Sequence, residues 1–138
     1  MDMTIGSLAK RAKVNLATLR YYEHFGLLKP VGRASSGYRL YNEGSLLRLK
    51  FIRYAQDQGF SLKEIGTLLK LDPRSSFACR KAKRMAEIKV LEVDRKIDDL
   101  EKIVDNLTRL LRECGRRHGR AGCPILSRFY QGSGYEEA

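Results

Sequence analysis

Three cysteines, Cys79, Cys114 and Cys123, are the residues of this 138-residue chain best suited to chemistry. The last two bracket a glycine-rich stretch, Cys114-Gly115-Arg116-Arg117-His118-Gly119-Arg120-Ala121-Gly122-Cys123. Such a stretch can close a disulfide, hold a metal ion, or merely turn between two small residues. A cysteine taken alone is most often a small buried hydrophobe, and this spacing is no general metal signature. Two features favour a ligand role. Gly115, Gly119 and Gly122 let the backbone fold with both sulfurs inward. Arg116, Arg117, Arg120 and the protonatable His118 favour thiolate over thiol, and the thiolate is the form that binds a soft metal. His118 itself reads as a loop residue rather than a ligand. An odd number of cysteines argues against a disulfide framework.

Cys79 fixes what the other two can do. If the residues from 80 to 113 form one helix, Cys79 and Cys114 lie about 50 Å apart at 1.5 Å per residue. They cannot share an ion within one chain. That segment does read as a helix. Ala86, Val90, Val93, Ile97, Leu100, Val104, Leu107 and Leu111 alternate spacings of four and three, a heptad seam. Asp94, Arg95, Lys96, Asp98, Asp99, Glu101 and Lys102 form a solvated face between them. Little sequence remains to cover the seam, so it needs a partner helix, and a second copy is the natural one. Should the two helices run antiparallel, Cys79 of one copy arrives beside Cys114 and Cys123 of the other. Twofold symmetry then gives two identical three-thiolate sites.

The N-terminal part predicts a different object. Ile5, Leu8, Ala9 and Ala12 make the stripe of a short helix, and Asn15 caps a second over Leu16 to Phe25, stopped by Gly26. Two short helices joined by a tight turn suggest a helix-turn-helix, whose second helix enters the major groove. Its exposed face is expected to carry Thr18, Arg20, Tyr21 and Tyr22 as donors to phosphates and base edges. Ser36-Gly37 marks a turn and Tyr38 to Tyr41 a short strand, giving a basic wing with Arg33 and Arg39. Asn42 caps a third helix through Leu46, Leu47, Phe51, Ile52 and Ala55, closed by Gly59. Ser61 and Glu64 form a capping box for a fourth, with Phe60 and Ile65 as a hydrophobic staple. That helix is expected to bury Ile65, Leu68 and Leu69 and to end before Asp72-Pro73.

Charge agrees with a polyanion as partner. The net charge is +11, and residues 1–72 hold 12 Lys and Arg against 6 Asp and Glu. That is the balance of a nucleic-acid binder. No apolar run approaches the roughly 20 residues of a membrane span, and the first residues begin neither a signal nor a transit peptide. The expectation is a cytoplasmic protein with reduced thiols. An enzyme is disfavoured: the sequence has no paired-carboxylate loop, no phosphate-cradling glycine motif after a strand, and no arranged Cys/His/Asp set.

The order TIGSLAKRAKVNLATLRYYEHFGLLKP, then GYRLY, then LKFIRYAQDQGFSLKEI resembles the MerR family of transcription regulators. The long helix and cysteine loop extend the likeness to about residue 130. The fold implied is mostly α: a winged helix-turn-helix DNA-binding domain over 1–72, a linker and dimerisation helix in an antiparallel coiled coil over 73–113, a metal-binding loop with a short C-terminal helix over 114–131, and a flexible tail over 132–138. By motif position the resemblance implicates Arg20, Tyr21 and Tyr22 on the second helix, and Arg33, Tyr38 and Arg39 on the wing. Lys13 departs from it, standing where relatives often have glycine. A left-handed turn there costs a non-glycine residue roughly 1–2 kcal/mol.

The order Cys79, Cys114, Cys123 followed by Pro124-Ile125-Leu126 resembles the mercury-responsive branch. There, three thiolates from two subunits hold Hg(II). Zinc-, lead- and cadmium-responsive relatives are the alternatives. Zinc prefers four ligands, and three cysteines leave it short unless His118 or another donor joins. The resemblance further implies a homodimer on double-stranded promoter DNA, repressing without metal and activating by DNA distortion when metal binds, so that RNA polymerase finds its elements realigned. A regulator sensing redox state through Cys114 and Cys123, or an organic ligand, is the competing class. Relatives that bind organic ligands usually carry a sizeable domain beyond the coiled coil, and only about 15 residues follow Cys123 here.

Overall fold

Side-chain caps set the beginnings of the first helices. Thr4 accepts the Ser7 amide and starts α1 (Ile5–Ala12), and Asn15 accepts the Ala17 amide and starts α2 (Leu16–His24). Between them Lys13 sits at φ 56°, ψ 45°. The turn is therefore left-handed at a non-glycine residue. A computed structural model describes residues 2–116 and 122–132. After α2, Gly26 at φ 74° turns the chain toward a two-stranded antiparallel hairpin, β1 (Gly32–Arg33) and β2 (Arg39–Leu40), with Arg33 paired to Arg39. Gly37 at φ 93° closes its loop, where the Ala34 amide donates to the Tyr38 carbonyl at 2.8 Å. Met3 and Tyr41 exchange backbone hydrogen bonds of 2.7 Å each, fastening the N-terminal segment to the hairpin base.

Helix α3 (Glu43–Asp57) and helix α4 (Leu62–Leu69) both open on capping boxes, Asn42 with Ser45 and Ser61 with Glu64. Leu46, Leu49, Ile52 and Ala55 are the buried face of α3. Here the sequence reading needs correction. Leu47 and Phe51, two of the apolar residues expected along this helix, are exposed, and Leu49 is fully buried. On α4 only Ile65 is buried. Leu68 and Leu69 are half-buried.

Helix α5 runs without interruption from Ser76 to Arg116, and α6 spans Pro124–Gln131. The chain divides into two compact units, one ending at Lys89 and one beginning at Val90. The first holds the core, with Leu8, Leu19, Tyr22, Leu28, Tyr41, Leu49, Ile52 and Ile65 its largest fully buried side chains. In the second, no described residue is buried. Among the described residues no helix is long and apolar enough to cross a membrane.

Candidate DNA interface and thiol cluster

The recognition helix and the wing are joined through one carboxylate. Tyr41, fully buried at the base of the wing, donates its hydroxyl hydrogen bond to Glu23 of α2. Arg39 of β2 lies 3.6 Å from the same carboxylate. Burial, reinforced by the hydrogen bond to Glu23 and its negative charge, pushes the Tyr41 hydroxyl up to about 12. This anchor brings three of the sequence-selected residues to one cleft of about 310 Å³: Arg20 from α2 and Tyr38 and Arg39 from the wing, beside Thr4, Ile5, Glu23, Gly37 and Tyr41. Exposed cations and a phenol on a helix–wing cleft can bind phosphate oxygens. Glu23 and Tyr41 were not selected from sequence, since a long-range carboxylate–phenol pair leaves no local pattern.

The other selected residues divide. Arg33 is exposed on β1, and Thr18 is half-buried on α2. Tyr21 is 52 % exposed and packs its ring 4.8 Å from that of Phe25. Tyr22 does not lie on the exposed face as expected. It is 1 % exposed and donates its hydroxyl to Gln56 of α3, so it holds α2 on the core rather than reaching outward. Arg48 of α3 supports the same junction by donating to the Leu27 carbonyl.

The three cysteines all carry free thiols; Cys79 and Cys123 are exposed and Cys114 half-buried. Among the described residues no group of three or more His, Cys, Asp and Glu side chains gathers within one chain. Cys114 lies in the last turn of α5, and Cys123 immediately precedes Pro124 at the start of α6, its side chain making no cap hydrogen bond. Residues 117–121, with Arg117, His118, Gly119 and Arg120, lie outside the described residues, as does the tail beyond Gly132.

A feature of α5 escaped the sequence reading. Cys79 and Cys114 stand 35 residues apart on one continuous helix, five heptads. They therefore occupy the same heptad position as Ala86, Val93, Leu100 and Leu107. Wound as a coiled coil at 3.5 residues per turn, the helix would bring both positions onto the apolar seam. The seam is uncovered in the single chain: Leu100 is 60 %, Val104 61 % and Leu111 63 % exposed. Exposed leucines and valines at seven-residue recurrence are the face of a helix built to pack on another helix.

Residues 3–72 match the MerR HTH family of regulatory proteins, and residues 46–110 match the MerR DNA-binding family. This chain belongs to the MerR family. It is 38 % identical to the mercuric resistance operon regulatory protein of Shigella flexneri, over 91 % of this chain and 86 % of the relative. It is 39 % identical to the transcriptional regulator ZntR of Escherichia coli K12, over 94 % and 93 %. The structure resembles that of PbrR691 from Ralstonia metallidurans CH34 in complex with lead(II), with a TM-score of 0.77 and 34 % identity over 92 % and 98 % of the two chains. MerR proteins are DNA-binding transcription regulators.

Proposed function

We propose that this MerR protein is a metal-responsive regulator that binds double-stranded promoter DNA as a homodimer, repressing without metal and activating when mercury(II) reaches a three-thiolate site shared between subunits. The observation that carries this reading is the five-heptad spacing of Cys79 and Cys114 along an uncovered seam. An antiparallel pairing that sets Leu100 against Val93 of the second copy sets Cys79 against Cys114 of the second copy in the same register. The ligands are Cys79 from one subunit and Cys114 and Cys123 from the other. Bound there, mercury(II) supplies a covalent-like tie between two subunits through soft sulfur donors.

The chain's own residues do the rest. Thr18, Arg20 and Tyr21 of α2, with Arg33, Tyr38 and Arg39 of the wing, hold the DNA; Glu23 and Tyr41 keep helix and wing in fixed relation, and Tyr22 holds α2 on α3. Two conformations of the protein–DNA complex compete, and an effector shifts them only by its differential affinity for the two. Deformability of the DNA between the two half-sites sets the opposing cost. RNA polymerase at the same promoter reads which conformation prevails.

Zinc, lead and cadmium are the alternative effectors, and similarity to sensors of different metals favours none of them. Three thiolates suit mercury(II) and leave zinc one donor short of its tetrahedron. The test is transcription in vitro from the bound promoter, titrated with mercury, zinc, lead and cadmium in competing thiol. Mercury should induce at the lowest free concentration, and Cys79→Ala should abolish induction while leaving DNA binding intact. Stronger induction by another ion would replace mercury, and unchanged induction in Cys79→Ala would reject the shared site.

A further inference from the structure

Helix α5 carries a second face beside its seam. Ala78 and Lys89 are buried and Ala82 and Met85 half-buried, following one another at helical spacing. This covered face lies about a quarter turn round the helix from the line of Cys79, Ala86 and Val90. Lys89 is the last residue of the N-terminal unit, and it is a cation only 8 % exposed. Its Nζ lies 2.9 Å from Oε1 of Glu64 and 5.3 Å from the centre of the Phe60 ring.

Glu64 has a second task. The same Oε1 accepts the Ser61 amide at 2.8 Å, and the Ser61 hydroxyl accepts the Glu64 amide at 3.2 Å, closing the box that starts α4. One carboxylate thus fastens both the first turn of α4 and the point where α5 leaves the N-terminal unit. With Lys89 buried and Glu64 half-buried, the pair is a weak source of net stability, since desolvation offsets most of its attraction. A methionine at 89 would fill the same space without that cost. The pair does confer geometry: its short contact persists only while α5 keeps one rotation and height against α4.

We propose that the Glu64–Lys89 pair is the latch through which a change of state in the long helix reaches α4 and the DNA-binding unit. The inference rests on the regulator reading above. A shift of α5 that accommodates ligation at Cys79 moves Lys89 with it, because the two residues lie ten apart on one continuous helix within the N-terminal unit. Lys89 then pulls or releases the α4 cap. Lys89 and Glu64 are positioning residues here and touch neither DNA nor metal.

The test uses the full-length dimer on the promoter fragment it binds, with wild type, Lys89→Met, Glu64→Gln and Lys89→Arg. Mercury, zinc, lead and cadmium are titrated on wild type first, and the ion that induces it is used for the variants. Failure of the mercury assignment then appears in wild type, as induction by another ion, and failure of the latch appears only in the variants. Lys89→Met and Glu64→Gln should bind DNA without ion within about threefold of wild type and keep the same metal stoichiometry. Their induction should fall about tenfold, inside the 5- to 150-fold span usual for coupling between sites. Lys89→Arg should restore it. Full induction in both charge-removing variants overturns the proposal. So does a loss of DNA affinity in step with induction, which would make the pair merely structural.

Discussion

The two units of this protein solve the same problem in opposite ways. The N-terminal unit buries its large apolar side chains against one another, and every short helix in it opens on its own side-chain cap. The C-terminal unit, from Val90 on, buries none of its described residues, although its seam is as apolar as any core. The first has its core within one copy; the second leaves its apolar seam exposed. What the contrast teaches is where information can pass. In the proposed function the self-sufficient unit holds the DNA, and the exposed seam is where a second copy and its metal tie would act.

The sharpest way to break the contrast is to charge the seam. Leu100→Arg should weaken dimerisation at least about 100-fold, because the twofold places the buried charge in the interface twice. Sedimentation will show monomers, while the N-terminal unit keeps its thermal midpoint. Leu49→Ala should do the reverse. Truncating this fully buried α3 residue should cost the N-terminal unit about 2–5 kcal/mol, read as an earlier denaturant midpoint, with the dimer preserved under native conditions. Lys13→Gly should stabilise by about 1 kcal/mol, since glycine relieves the left-handed backbone at some cost in chain entropy.

A further effect is a pH dependence confined to the first unit. Tyr41 has its ionisation pushed up to about 12 from an ordinary value of 10.0. Its folded pKa is raised, so its stabilising contribution is full below pH 10 and is lost as pH rises from 10 toward 12. Stability against urea should fall through that window in wild type. The fall should flatten in Tyr41→Phe.

Much of this was legible in the sequence where the signal is local. The Asn15 cap, the Ser61–Glu64 box and the heptad repeat are patterns of local spacing, and the structure has both caps and one continuous helix that carries the repeat. The errors fell where a helix surface must be divided between core and solvent. Tyr22 was read as outward because tyrosine serves either face, and its burial is decided by Gln56, distant in sequence. Leu47 and Phe51 are apolar yet exposed, and Leu68 and Leu69 are half-buried. Glu23, Tyr41 and the Glu64–Lys89 contact join distant segments, so periodicity gave no hint of them. For the cysteines, their types pointed to soft-metal chemistry, but their shared heptad position mattered only once α5 proved continuous through both Cys79 and Cys114.

The claim on which the rest depends is that each ion site is divided between two copies. Chains bearing Cys79→Ala and chains bearing Cys114→Ala with Cys123→Ala, each unable to form a site alone, should be mixed, exchanged and isolated as heterodimers, and mercury(II) binding counted. One ion per heterodimer, against two for the wild-type dimer and none for either parent, is the predicted result; no binding in the heterodimer would place the three sulfurs in separate sites and contradict the account.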